Sequence, residues 1–532
     1  MTEYNEKHAQ WLIGQAKSGG MSRREFLGRT SALGIALSAG TGLFNQAYAA
    51  TPKKGGHMRL GMGHGSTNDT LDPATIENGL QWALSYGIAS TLVELEADGS
   101  LSPGLATEWS STPDAKTWTF KLRKGVEFHN GKTMTVDDVI ASINYHRGED
   151  SKSVGKPLMA SVTEIKADGP DTVVFELSAG SADFPANFNE IHFGIYPAKD
   201  GSIDWSGGGT GGYKIVNADP GVRYELQRNA NYWNDKNAHA NTIEIISIKD
   251  PTARNTALLT GEVDAIDQVD LKTVHLMERA PQISVEEGSG PLHYVFPMHM
   301  DTAPFDNADL RKALKYSINR EEMVAKILSG HGTVGNDNPI GSSYRYHAAD
   351  LEQTMYDPDK ARHHMKKSGL GDITIDISAA DAAFAGAVDA VLLYKASAEK
   401  CGININVVRE PNDGYWSNVW GAKPFCASYW GGYSTEDAML STGYVTGAAW
   451  NETRYSDERF EKLLVDARAE LNTELRAEMY REMQVMLRDE GGTIVPMFAN
   501  AVTARNDKIA HNPQSFARAF DGRRIMERWW MV

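Results

Sequence analysis

The sequence predicts an α/β protein with more than one hydrophobic core. Short runs that alternate apolar and polar residues, the period of a strand, take turns with segments whose apolar residues recur every three to four positions, the period of a helix. At 532 residues the chain exceeds what one core usually holds. Its composition, 41% hydrophobic and 23% charged, is that of a folded globular protein rather than a disordered one.

The first element is a targeting segment. Ser22-Arg23-Arg24-Glu25-Phe26-Leu27 precedes a stretch from Thr30 to Pro52 without a charged residue. Leu33, Ile35, Leu37, Leu43 and Phe44 are diluted there by Gly34, Gly40 and Gly42, too weakly apolar for a membrane span. The stretch suits a cleavable export signal ending in Ala47-Tyr48-Ala49. Arg23 and Arg24 with Phe26-Leu27 resemble a twin-arginine (Tat) signal, which exports folded proteins. Gly28 stands where a Lys is common, and no Cys near the cleavage site offers a lipid anchor. Removal of residues 1–49 leaves 48 basic and 66 acidic residues, moving the net charge from −16 to −18. That balance excludes nucleic acid as the main partner, since no excess of cations displaces counterions.

Further along, Thr117–Leu122 alternates in period two, and Lys124-Gly125 turns it toward Val126-Glu127-Phe128, predicting a hairpin. Thr135 with Asp138, followed by Val139, Ile140 and Ile143, predicts an N-capped amphipathic helix. Asp309 to Leu328 reads as one helix stopped by Gly330. Ile373–Ile377 and Ile403–Val408 read as strands joined by an apolar helix from Ala387 to Ala398. Ser456–Ala469 and Thr473–Glu490 are amphipathic helices, the second with a Met stripe (Met479, Met483, Met486) that belongs to a core.

No catalytic constellation emerges: there is no G-x-S-x-G elbow, H-E-x-x-H helix or phosphate-binding Lys loop. Gly207 to Gly212 matches G-x-G-x-x-G but runs into a strand, Tyr213–Val216, and reads as a flexible crossover. His363-His364 read as surface residues, and His293 and His299 share a strand face without a visible third metal ligand. Cys401 and Cys426 allow one disulfide if their β-carbons approach within roughly 4.5 Å, or remain two buried thiols. The densest feature is aromatic. Tyr415, Trp416, Trp420, Tyr429, Trp430 and Tyr433 fall within nineteen residues, broken by Gly421, Gly431 and Gly432 and followed by Glu436-Asp437. Such walls suit an apolar or cationic small ligand, with the rings divided between a lobe core and a cleft.

Several stretches together resemble the family 5 extracellular solute-binding proteins, the peptide, nickel and opine receptors of ABC importers. Pro103-Gly104-Leu105-Ala106 with Glu108-Trp109, then Thr117–Phe120 and Leu122-Arg123-Lys124-Gly125-Val126-Glu127-Phe128, are similar to the family signature. Gly55-Gly56, Leu71-Asp72-Pro73, Gly209-Thr210-Gly211-Gly212-Tyr213, Asn229–Trp233, Arg254 with Leu258–Asp264, Pro304–Asp306, Ile318-Asn319-Arg320, Tyr356-Asp357-Pro358 and Arg476…Tyr480…Gln484 follow in the family's order across 53–500.

The resemblance implies an α/β type II periplasmic binding-protein fold, two lobes joined by a hinge with an extra subdomain on lobe I. Residues 1–49 would be the Tat signal, 50–80, 206–290 and 498–532 lobe I, 81–205 the subdomain, and 291–497 lobe II. It implies a non-enzymatic periplasmic receptor, soluble after cleavage near Ala49, without a cofactor. Its partners would be the Tat translocon during export, then an inner-membrane ABC permease with its ATPase subunits. The implied ligand is a short peptide or amino-acid-like solute, with an opine, quaternary amine or other cationic metabolite as the alternative. From another class, a metal or metallophore carrier or a Tat-exported enzyme would fit the export signal. Tyr433 stands where the family's peptide receptors place the Asp of W-x-x-D, so Asp437 or Glu436 would take its part. Glu77, Asn78 and Gly79 correspond to a ligand loop, and Arg345 would pair a ligand carboxylate. Tyr294, Trp416, Trp430, Gly431 and Tyr433 complete the expected cleft.

Overall fold

The computed structural model describes residues 52–532 apart from 77, 413, 414 and 449. The expected export signal, with Arg23, Arg24 and Ala49, and the candidate ligand residue Glu77 lie outside the described residues. No helix among the described residues is long and apolar enough to cross a membrane.

A nine-stranded sheet organises the chain. Its order is Tyr213–Asp219, Arg223–Arg228, Thr242–Ser247, His57–Met62, Ala265–Ile266, Thr493–Asn506, Ile283–Pro297 and Ser428–Trp430, with Gly332–Val334 also on Thr493–Asn506. His57–Met62 pairs in parallel with both neighbours, and the other pairs are antiparallel. Two long strands, Ile283–Pro297 and Thr493–Asn506, run from the middle of the sheet to its far end. Their pairing is interrupted between Ser289 and His293 and again between Tyr294 and Phe296. Irregularities of this kind bend a ladder without ending it.

Separate apolar cores flank these strands. Met58, Leu60 and Met62 pack with Leu80 and Leu84 of the helix Gly79–Ile88 and with Trp529. A four-stranded antiparallel sheet, ordered Ala106–Ser111, Thr117–Leu122, Thr172–Leu177 and Val162–Ala167, closes over a cluster of phenylalanines. There Phe188 lies 5.1 Å from Phe120 and 5.0 Å from Phe175, ring to ring. Thr374–Ala379, the helix Ala387–Glu399 and Asn404–Arg409 form a parallel strand–helix–strand unit over a third core. Met483, Met486 and Leu487 of the helix Thr473–Glu490 enter a fourth with Trp430 and Tyr480.

The capped helix forms as expected over Val136–Asn144, its Asp138 carboxylate accepting Thr135 N–H at 2.8 Å. Four expectations are corrected. Val126–Phe128 does not fold back on Thr117–Leu122, whose edges are taken by Ala106–Ser111 and Thr172–Leu177; Glu127 bridges Thr133 instead. The single helix over 309–328 is two, Ala308–Tyr316 and Arg320–Ile327, because Asn319 accepts Glu322 N–H and starts a new helix. The glycine-rich crossover is pinned rather than flexible. Gly209 and Gly211 N–H both donate to the Ile88 carbonyl at 3.1 and 3.0 Å, and a Cβ on Gly211 would overlap the Gly87 carbonyl. His364 is not a free surface group: its Nδ1 lies 2.8 Å from Asp309 and its ring stacks on Tyr316. The two cysteines are both buried and both free.

Candidate functional site

A cavity of about 540 Å³ opens where distant segments meet. Tyr86, Asp98 and Asn189 line one wall, Arg345, Gly431 and Tyr433 a second, and Arg518, Asp521 and Arg524 a third.

The second wall is an extension of the large sheet. Ser428–Trp430 pairs along Ile283–Pro297, with Trp430 opposite His293 and Tyr429 opposite Tyr294. It is the last strand in the order, so its outer edge has no strand partner among the described residues. The chain then leaves the sheet through Gly431-Gly432. Gly432 has φ +82°, and a Cβ there would overlap Pro291, so only glycine permits this exit. Tyr433 N–H donates to the Tyr344 hydroxyl at 3.0 Å, and Thr435 caps the helix Glu436–Gly443.

The third wall holds stacked arginines. Arg524 lies over the Tyr86 ring at 4.1 Å, pairs with Glu527 at 2.8 Å and donates to Asn189 Oδ1 at 3.1 Å. Arg518 lies over Trp82 at 4.6 Å, 3.7 Å from Glu190. Burial pushes the Glu190 carboxyl up, but Arg518 and His192 outweigh it and hold the group below its usual value. Burial also pushes the Tyr86 phenol up to about 12, and its hydroxyl donates to the Asn189 carbonyl. Arg345 differs from these. It is exposed at the cavity, rests against the Tyr346 ring at 5.3 Å, and has no ion-pair partner among the described residues. A chain of net charge −16 therefore presents Arg345, Arg518, Arg524 and Arg528 to its cavity against Asp98 and Asp521. These walls suit a carboxylate.

Arg345, Gly431 and Tyr433 are the expected residues that the structure brings together at the cavity. The others sit apart from it. Asn78 caps the helix Gly79–Ile88, accepting N–H groups of Leu80 and Gln81 at 3.1 and 3.2 Å, and Gly79 lies against Arg523. Tyr294 stacks on Phe384 at 4.1 Å. Asp437 is engaged by Arg468 at 2.9 and 3.1 Å, with burial pushing its carboxyl up. Glu436 accepts Tyr346 N–H at 2.6 Å. Trp430 is buried, its indole donating to Glu452 at 2.6 Å, and Trp416 is exposed beside Tyr429. Among the described residues no cluster of His, Cys, Asp and Glu could hold a metal ion.

Tyr86, Asn189 and the arginine wall were not anticipated. The signal available for the latter was Arg518, Arg523, Arg524 and Arg528 within eleven residues of an acidic chain.

The family described as Bacterial extracellular solute-binding proteins, family 5 Middle, matches residues 100–452. The periplasmic oligopeptide-binding protein OppA of Haemophilus influenzae is 22% identical over 477 residues, covering 82% of this chain and 87% of that protein. The structure of HbpA2 from Haemophilus parasuis superposes with a TM-score of 0.78 at 19% identity, covering 88% of this chain and 99% of that one. The binding protein AgaA in complex with agropinic acid, from A. tumefaciens R10, gives 0.72 at 20% identity, covering 90% and 99%. These neighbours share the α/β periplasmic binding-protein fold.

Proposed function

Because the chain belongs to the family 5 bacterial extracellular solute-binding proteins, we propose that it captures a short peptide or amino-acid-like solute in its cavity and delivers it to an inner-membrane ABC permease and its ATPase subunits. The observation that carries this reading is Arg345, a cation without an ionic partner among the described residues, on the wall of a cavity of about 540 Å³. A guanidinium there offers two parallel N–H donors to a ligand carboxylate. The edge of Ser428–Trp430, which has no strand partner among the described residues and is continued by Gly431 and Gly432, leaves backbone within reach of an extended ligand.

In this reading 50–80, 206–290 and 498–532 form lobe I, 81–205 its subdomain and 291–497 lobe II. The two long strands that cross between them, with their interrupted pairing, support a hinge. The solute binds the closed arrangement better than the open one and thereby shifts the protein toward it; no covalent step is involved. Export would proceed through the Tat translocon into the periplasm with cleavage near Ala49.

A second reading, an opine receptor, is favoured by the likeness to AgaA and by the same arginine-rich walls, since an opine, as an amino-acid conjugate, presents a carboxylate. One screen separates them: thermal stabilisation of the mature protein by peptides, opines and quaternary amines. A bound solute raises the melting temperature, and Arg345→Ala and Tyr433→Ala should abolish the shift. Unchanged shifts in both variants would refute this placement of the site.

A further inference from the structure

Among the described residues, the large aromatic side chains left exposed are Trp416, Tyr429 and Trp450, at 42%, 44% and 51%. They are not scattered. Trp416 lies 5.6 Å from Tyr429 and 6.1 Å from Trp420, and Trp420 lies 6.3 Å from Trp450, centroid to centroid. Neighbouring rings meet at 72°, 67° and 83°, so the row turns a corner at each step. A sugar ring stacks best on coplanar faces. At each step the edge of one ring meets the face of the next, and the surfaces that Trp416, Tyr429 and Trp450 leave exposed are electron-rich π-systems, which attract an ammonium group.

The row is anchored from the inside. Glu452, 6% exposed, accepts the indole N–H of Trp420 on one carboxylate oxygen and that of Trp430 on the other, each at 2.6 Å. This fixes the orientation of Trp420 before any guest arrives. A carboxylate at the N–H end of an indole also pushes electron density toward the ring, which strengthens its attraction for a cation. The protein's net charge of −16 favours the approach of a cation to its surface. Trp416, Trp420, Tyr429 and Trp450 do not line the 540 Å³ cavity, so the row is distinct from it.

We propose that Trp416, Trp420 and Trp450, with Tyr429 at the end of the row, form a second binding site, for an alkylammonium cation, beside the edge strand Ser428–Trp430. The site goes beyond solute capture in the arginine-walled cavity and does not rest on it.

The test is a fluorescence titration of the mature protein with choline and with dimethylbutanol, its neutral carbon isostere. The expected result is a saturable change with choline and a response at least about tenfold weaker with the alcohol. Trp416→Leu and Trp450→Leu, which keep apolar bulk at exposed positions, should each weaken choline binding several-fold, and Arg345→Ala should leave it unchanged. Equal responses to both probes, no saturable response, or loss of choline binding in Arg345→Ala would overturn the proposal. Should the tryptophan variants fail to fold, the comparison of charged and neutral probes on the unaltered protein still decides it. Stabilisation by a peptide or opine in Trp416→Leu would keep the cavity reading intact whatever choline does.

Discussion

Arg476 grips Asp183 through two hydrogen bonds of 2.9 and 2.6 Å, joining residues 293 positions apart. The arginine lies against the rings of Tyr346 and Tyr480 and is almost fully buried. Around it, Ala182 N–H donates to the Arg468 carbonyl at 2.7 Å, and Ser434 Oγ donates to Glu190 at 3.2 Å. The segment that carries the phenylalanine core is thereby tied directly to the segment that carries Trp430 and Tyr433. Asp183 lies beside the first turn of the short helix Phe184–Asn187, so the pair fixes one wall of the cavity relative to another.

Breaking this pair should cost stability and loosen the cavity. Arg476→Met leaves Asp183 partly buried without a cation, a loss of about 3 kcal/mol. Asp183→Asn should cost less, because Arg476 also donates to the Ala467 carbonyl at 2.9 Å. Urea titration followed by tryptophan fluorescence checks the order. Equal stability in the parent and Arg476→Met would show that the contact carries no net energy.

Beside this pair, Glu436 gives the fold a pH dependence of defined sign. Burial pushes its carboxyl up to about 7 from an ordinary 4.5, opposed by the Tyr346 N–H it accepts, and Asp183 adds to the rise while Arg476 opposes it. The folded state therefore holds this proton more tightly than the unfolded chain. Its contribution is fully present below pH 4.5 and is lost as pH rises to about 7. Glu436→Gln keeps an acceptor for Tyr346 and removes the titration. The variant should gain about 3 kcal/mol relative to the parent on going from pH 4 to pH 8. A stability difference that stays constant over that range would contradict the assignment.

Some periodicities readable in the sequence correspond to local structure, while the pattern over 309–328 is split by the cap at Asn319. Thr473–Glu490 and the strand–helix–strand unit around Ala387–Glu399 form where their patterns place them. Of the candidate site, the chain segment around Trp430-Gly431-Gly432-Tyr433 was legible because glycine and aromatic residues crowd together there. What sequence could not show is pairing over distance. Asp437 reads as a free carboxylate until Arg468 is seen to hold it, and Trp430 reads as a cleft ring until Glu452 is seen to take its N–H. Arg345 and Arg524 look alike as isolated arginines. Only the fold gives Arg524 the partner Glu527 and leaves Arg345 with none among the described residues.

The cysteines provide a simple chemical check. Cys401 and Cys426 are buried free thiols, and burial pushes both above their ordinary value. Thiolate is the reactive form, so neither should react with a disulfide reagent in the native protein. Both should react once guanidinium unfolds the chain. Absence of free thiol in guanidinium would mean a disulfide and a different packing around Cys426.

Adjacent glycines should respond differently to the same substitution. Gly432 combines φ +82° with a position where a Cβ would overlap Pro291, whereas a Cβ on Gly431 meets nothing within 4 Å. Gly432→Ala must therefore adopt a left-handed backbone and displace the strand that carries Pro291, at a cost of about 2 kcal/mol or more. Displacement of that strand moves Tyr433 away from the Tyr344 hydroxyl and distorts the cavity wall, so ligand-induced stabilisation should fall together with stability. Gly431→Ala should change stability by less than about 0.5 kcal/mol. Because Gly431 lines the cavity, its added methyl should act on affinity alone. Parallel melting curves of the two variants with and without a stabilising solute separate these effects, and equal behaviour of the two would refute this account of the turn.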